Sequence, residues 1–168
     1  MEQNSSIKEQ SLHPEQAATK AHPGMARNAA EDAASDECPE GLDERICAAL
    51  RAASDKKALE MVVLDLRKVA NFTDYFIITS GTNTRQVQAI ADEVAEQLKK
   101  QGTRAARIEG YNTAEWILLD YGDFVVHVFE DKARRFYDLE RLWRDAARVP
   151  LPPDLTEPHG GSLRNQEP

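Results

Sequence analysis

Residues 109–143 read EGYNTAEWILLDYGDFVVHVFEDKARRFYDLERLW, and this stretch decides the fold. Two apolar runs, 116–121 (WILLDY) and 124–129 (FVVHVF), are rich in the β-branched and aromatic residues that suit strands. Only Gly122-Asp123 separates them, a connection that joins antiparallel neighbours naturally. A Gly-Asp pair suits a type II′ turn, with Gly122 at the position of positive φ. The second run passes without a loop into an amphipathic helix over 131–147. Phe136, Leu139, Leu142 and Trp143 line one face of it, with Lys132, Arg134, Arg135, Arg141 and Arg144 largely elsewhere. Glu130 and Asp131 at its start, and Arg144 and Arg148 at its end, agree with the helix dipole.

Working upstream, 104–109 (RAARIE) is a weak strand and 85–101 a helix. That helix gathers Val87, Ile90, Ala91, Val94 and Leu98 on one stripe and is stopped by Gly102. Gly81-Thr82-Asn83-Thr84 breaks the strand 74–80 (DYFIITS) and supplies the cap of the helix. The loop 67–70 ties that strand to another at 60–66 (EMVVLDL), and a first helix covers 42–57 with Ile46, Ala49, Leu50 and Ala53 at helical spacing. The order is α-β-β-α-β-β-β-α: a small α/β domain with a mixed sheet of about five strands and flanking helices over 41–149. The passage from the strand at Ile77 through the helix to Ile108 demands a crossover, and hence a parallel pair between those strands.

Charge separates this domain from its flanks. The chain carries a net −8, but residues 1–40 hold three basic and eight acidic groups, and 150–168 hold one and three. The domain between has 17 basic and 18 acidic groups, so bulk electrostatics give it no drive toward phosphate backbones. Residues 1–40 contain no aromatic side chain and read as a disordered acidic extension, with His13 and His22 as solvated bystanders; 150–168 read as a disordered tail. No apolar run approaches the roughly 18–20 residues of a membrane span. The acidic amino terminus, without an apolar core, argues against a secretory signal or an Arg-rich transit peptide. Cys38 and Cys47 form no CxxC or Cys/His cluster, and read as free thiols in a reducing cytosol.

No catalytic grouping emerges. Ser54 and Ser80 lack a placed base, and Cys47 has no histidine near it in sequence. The loop 80–84 precedes a helix and its amides suit an anion, yet it lacks a Walker lysine and a GxGxxG spacing, so a capped strand-to-helix turn is the better reading. Asp120, Asp123 and His127 invite a metal or acid–base reading. Against it, Asp123 is a natural turn residue, and a lone His among Val and Phe is usually a hydrogen-bonded structural side chain. Alternation puts Trp116, Leu118 and Asp120 on one face of their strand and Ile117, Leu119 and Tyr121 on the other; whether His127 faces Asp120 depends on register. Trp116 and Tyr121, with Glu115 and Asp120 beside them, have the composition either of core or of an interface hot spot.

Three ordered blocks then carry a resemblance: DYFIITSGTNTRQVQAIADEV (74–94), EGYNTAEWILLDYGDFVVHVF (109–129) and RRFYDLERLW (134–143). Over about 42–144 the chain resembles the ribosomal silencing factors, RsfS, also called Iojap-like proteins. The resemblance implies a cytoplasmic translational repressor rather than an enzyme, without metal or cofactor. It implies binding to ribosomal protein fourteen of the large subunit, on the face that meets the small subunit, so that subunit joining is blocked when nutrients are scarce. Organellar relatives contribute to large-subunit assembly, which is the alternative reading. The family's sheet is similar to that of nucleotidyltransferases, but no Asp-x-Asp pair appears on the following strands here, which speaks against transferase activity. On this chain the resemblance places the partner surface on 116–121: Trp116 as apolar anchor, Tyr121 as a second ring, and Glu115, Asp120 and Asp123 meeting basic side chains. It also implies a homodimer of the free protein, with no sequence feature that specifies one.

Overall fold

A computed structural model describes residues 38–156; the expected extension up to residue 37 and residues 157–168 lie outside them. Helix α1 (Glu44–Asp55) starts where the Asp43 carboxylate accepts the Arg45 amide, and it buries Ile46, Ala49, Leu50 and Ala53 as their spacing requires. Strands β1 (Leu59–Asp65) and β2 (Tyr75–Gly81) form an antiparallel pair. Helix α2 (Thr84–Lys100), capped by the Asn83 side chain, buries the expected stripe of Val87, Ile90, Ala91, Val94 and Leu98. Each of the Val, Ile and Leu side chains contributes roughly 1.5–3 kcal/mol relative to exposure. Then come β3 (Arg107–Glu109), β4 (Trp116–Asp120) and β5 (Phe124–Glu130), with Gly122 between the last two at φ +86°.

The six strands lie in the order β3-β4-β5-β2-β1-β6, with β6 at Ala147–Arg148. Here the sequence expectation is corrected. The parallel neighbour of β2 is β5, from Tyr75 opposite Phe124 to Gly81 opposite Glu130, and not the strand at 107–109. Strand β5 is buried along both faces and takes the centre, whereas the three exposed residues of β3 take the edge beside β4. One sheet face packs on α1, α2 and the short helix α5 (Pro153–Thr156). The other carries Phe76, Ile78, Val125 and Phe129 and is partly covered by α3 (Asp131–Tyr137), α4 (Leu139–Leu142) and the turn at Trp143.

Three further expectations change at the carboxyl end and at the cysteines. The single helix over 131–147 is broken at Asp138, which adopts a left-handed φ of 48°, so the apolar period does not run through it. Residues 147–148 instead pair with β1, adding a sixth strand. The chain stays on the domain beyond 149: the Val149 amide donates to the Val63 carbonyl, and Leu155 is buried among the core residues. Cys38 and Cys47 are joined in a disulfide, with Cα atoms 5.7 Å apart. The turn closed by the Leu42 amide on the Pro39 carbonyl folds Cys38 back against the first turn of α1, a proximity the linear spacing did not disclose. Reduction, or Cys38→Ser, is expected to lower unfolding free energy by about 2–3 kcal/mol through loss of a roughly ten-residue ring closure. Coincident denaturation curves with and without reductant would show that the bond contributes nothing.

A buried cation ties α3 to the sheet. The pairing of β1 slips between Leu59 and Val62, with Glu60 at φ 44°, and leaves the Leu59 carbonyl pointing at its neighbours. It accepts from Thr79 Oγ1 at 2.7 Å and from Arg134 Nη1 at 3.3 Å. Arg134 also donates to Ser80 Oγ at 3.2 Å and makes a two-pronged pair with Glu140, so the guanidinium is buried with its donors engaged.

Candidate docking surface

Strand β4 is the hinge between the two faces. Ile117 and Leu119 point into the helix-covered core, while Trp116, Leu118 and Asp120 stay half-buried on the opposite side. In that register Trp116 opposes Phe129, Leu118 opposes His127, and Asp120 opposes Val125. The Trp116 ring lies 4.9 Å from Phe129 and 4.8 Å from Tyr137, and Tyr137 meets Phe136 edge-on at 5.0 Å. On the far side of His127, Phe76 packs against Trp143 at 5.7 Å, and Trp143 carries Phe72 at 5.9 Å. This band of rings runs across the sheet from α3 to the β1–β2 loop. Its two ends are open to solvent, with Phe136 79% exposed beside Tyr137 and Phe72 59% exposed, while Phe76, His127 and Phe129 between them are buried. Exposed apolar side chains of that size, joined to a half-buried Trp116, are what a docking face presents.

Trp116 does not sit loosely in this band. Its Nε1–H donates to His127 Nδ1 at 3.1 Å. Burial pushes the His127 imidazole down to about 3 against an opposing pull from Asp120, so the ring is neutral near pH 7. Asp120 and His127 do not converge on one point; each is engaged elsewhere. Among the described residues no group of three His, Cys, Asp or Glu is placed to hold a metal.

The expected site residues divide. Tyr121 lies on the other face, 8% exposed and stacked on Phe124 at 5.0 Å, and its hydroxyl is pushed up to about 12 by burial. It follows Ile117 and Leu119 in the alternation, so it cannot share a surface with Trp116. Asp120 bonds Arg107 at 3.1 Å and accepts the Gly122 amide, and Asp123 pairs with Arg45 at 2.9 Å. Glu115 is exposed. Two of the three expected acidic contacts thus already have an arginine partner. The loop at 81–84 turns its polar groups on the chain itself: Asn83 caps Gln86, and Gln86 accepts from the Thr82 amide and donates to the Lys56 and Lys57 carbonyls.

Sequence reasoning missed Phe72, Tyr137 and His127 as parts of this surface, and placed Phe136 and Leu142 in the core. The break at Asp138 rotates the exposed residues out of the predicted buried stripe. The signal that could have found His127 was its position in a strand two residues from the one opposite Trp116, once the hairpin register was known.

A six-stranded mixed sheet, closed by helices on one face and left half open under a band of rings on the other, defines a small α/β domain of one particular architecture. The family model described as ribosomal silencing factor during starvation matches residues 39–167, and the chain belongs to that family. It is 45% identical over 103 residues to the ribosomal silencing factor RsfS of Halalkalibacterium halodurans, covering 61% of this chain and 88% of that one. A crystal structure of a Bacillus halodurans protein aligns with a TM-score of 0.58 at 42% identity, covering 64% of this chain and 98% of that chain. A mouse protein named mitochondrial assembly of ribosomal large subunit protein 1 is 32% identical over 91 residues, spanning 52% of this chain and 40% of the mouse protein. The Halalkalibacterium protein is named for ribosome silencing and the mouse protein for assembly of the ribosomal large subunit. No helix among the described residues is long and apolar enough to cross a membrane.

Proposed function

We propose that this protein is a translational repressor that binds the large ribosomal subunit through ribosomal protein fourteen and sterically prevents the small subunit from joining. Membership of the silencing-factor family supports the ribosomal target. The observation that carries the mode of binding is Trp116, half-buried and hydrogen-bonded within a ring band whose ends are exposed. Such a ring, surrounded by further apolar contacts that exclude water, has the character of an interface hot spot. Exposed Glu115 at its edge suits a basic ribosomal protein, and the near-neutral domain suits a protein contact over an RNA one. A cytoplasmic location goes with this reading.

Co-sedimentation of the full chain with purified large subunits, small subunits and both together tests it. Binding to large subunits with loss of joined ribosomes is the expected result; binding to neither subunit would end the proposal. Trp116→Ala is expected to weaken large-subunit binding by about 2 kcal/mol or more. A folded variant with unchanged affinity would remove Trp116 from the surface. A second reading, assembly of the large subunit through the same face, takes its support from the name of the mouse relative. Binding confined to immature large particles would favour it.

A further inference from the structure

We infer that His127 is a positioning residue for docking: its Nδ1 holds the Trp116 indole in one orientation on the open sheet face before any partner arrives. The inference rests on the docking reading of Trp116. The strand register makes the contact a diagonal one, since Trp116 opposes Phe129 and His127 opposes Leu118. The indole therefore leans along the hairpin, and its Nε1–H reaches the imidazole at 3.1 Å. Phe76 meets the imidazole edge-on at 4.4 Å and Phe129 lies over it at 6.3 Å, so the acceptor is itself immobilised by packing.

The protonation pattern follows from that bond. A neutral imidazole that accepts at Nδ1 carries its proton on Nε2. Nε2 is buried and has no hydrogen-bond partner among the described residues. A buried donor left unpaired carries a desolvation cost, and a leucine at 127 would pack among Phe76, Val125 and Phe129 without it. Stability alone thus gives no reason for histidine here; the bond to Trp116 does. The bond also bears on the partner. An indole has a single polar atom, and here it is engaged by His127, so what Trp116 leaves exposed is carbon. The group received on it is an aliphatic side chain or the flat face of an arginine, not a hydrogen-bond acceptor.

Two substitutions separate positioning from packing because they pull in opposite directions. In His127→Asn the amide Oδ1 stands where Nδ1 stood and accepts the indole N–H, but the amide buries unpaired polar atoms. In His127→Leu the acceptor is gone and the packing is apolar. The full-length variants are compared by chemical denaturation, by the indole N–H resonance of Trp116 (assigned by its loss in Trp116→Ala), and by affinity for isolated large subunits. The expected order of stability is Leu at or above Asn. The expected order of affinity is reversed, with Asn within about threefold of the natural protein and Leu weakened about tenfold or more, its indole resonance shifted upfield and exchanging faster with water. Equal affinities for the Leu variant and the natural protein would overturn the inference, as would an Asn variant that keeps the indole bond and still loses affinity. Should Leu fail to fold, the Asn variant alone decides. Unchanged binding by Trp116→Ala would instead remove the docking reading itself, and the positioning role with it.

Discussion

Gly110→Ala is expected to cost about 3 kcal/mol or more of folding stability and to abolish docking along with it. Gly110 sits at φ +78°, a left-handed conformation that an L side chain adopts only under strain. A Cβ there would also be driven into the backbone carbonyl oxygen of Trp116. Neither side can yield easily. The Ala114 amide closes the loop onto the Gly110 carbonyl, Gln88 Nε2 holds the Tyr111 carbonyl, and the Tyr111 hydroxyl donates to Asp92 on α2. Gly102→Ala is the control, because Gly102 has φ +90° but open space around its missing Cβ, and should cost only about 1 kcal/mol. Denaturation midpoints of the two variants decide the matter; equal losses would mean that the carbonyl contact is not a constraint.

The second large effect is expected on acidification. The folded-state His127 is held down to about 3 by burial, while the unfolded side chain titrates near 6.5. Between those values the unfolded chain binds a proton that the folded chain refuses, so stability rises with pH through this window and falls as pH drops. The contribution is complete above about pH 6.5 and is lost at up to about 1.4 kcal/mol per pH unit below it, or roughly 2–3 kcal/mol by pH 4.5. Asp43, lowered by its bonds to Arg45 against the cost of burial, and Asp65, lowered chiefly by Arg67, contribute in the same direction but at more acid pH. Denaturation from pH 7 to 4.5 should therefore show a slope that His127→Leu removes. An identical slope in that variant would place the acid sensitivity elsewhere.

The pattern of what the sequence disclosed is physical. Long periods were legible: the α2 stripe and the β4–β5 alternation each repeat several times, and the short Gly122-Asp123 connection permits little but a hairpin. Tyr121 was legible too, since alternation itself groups it with Ile117 and Leu119; placing it beside Trp116 ignored that grouping in favour of its aromatic character. The break at Asp138 was not legible, because one residue in a left-handed conformation leaves no trace in an amphipathic pattern. Strand β6 is too short to have a period, and its pairing with β1 is made by the sheet and not by propensity. The Cys38–Cys47 bond and the Trp116–His127 bond depend on a turn and a register, both tertiary facts. Of the candidate surface, the place of Trp116 on the open face follows from alternation, but the residues that surround and hold its ring do not.

The central parallel pairing has a consequence for how the chain comes off the ribosome. Tyr75 pairs with Phe124, so β2 is complete well before the strand that must lie along it has been synthesised. A β1–β2 hairpin formed before then would have one bare inner edge and apolar side chains on both faces of β2, the kind of intermediate that sticks to its neighbours. Contacts this distant in sequence also slow closure of the sheet, because the loop entropy is spent before any pairing returns it. The core of this domain thus cannot close until β5, and with it nearly all of the domain, has been made.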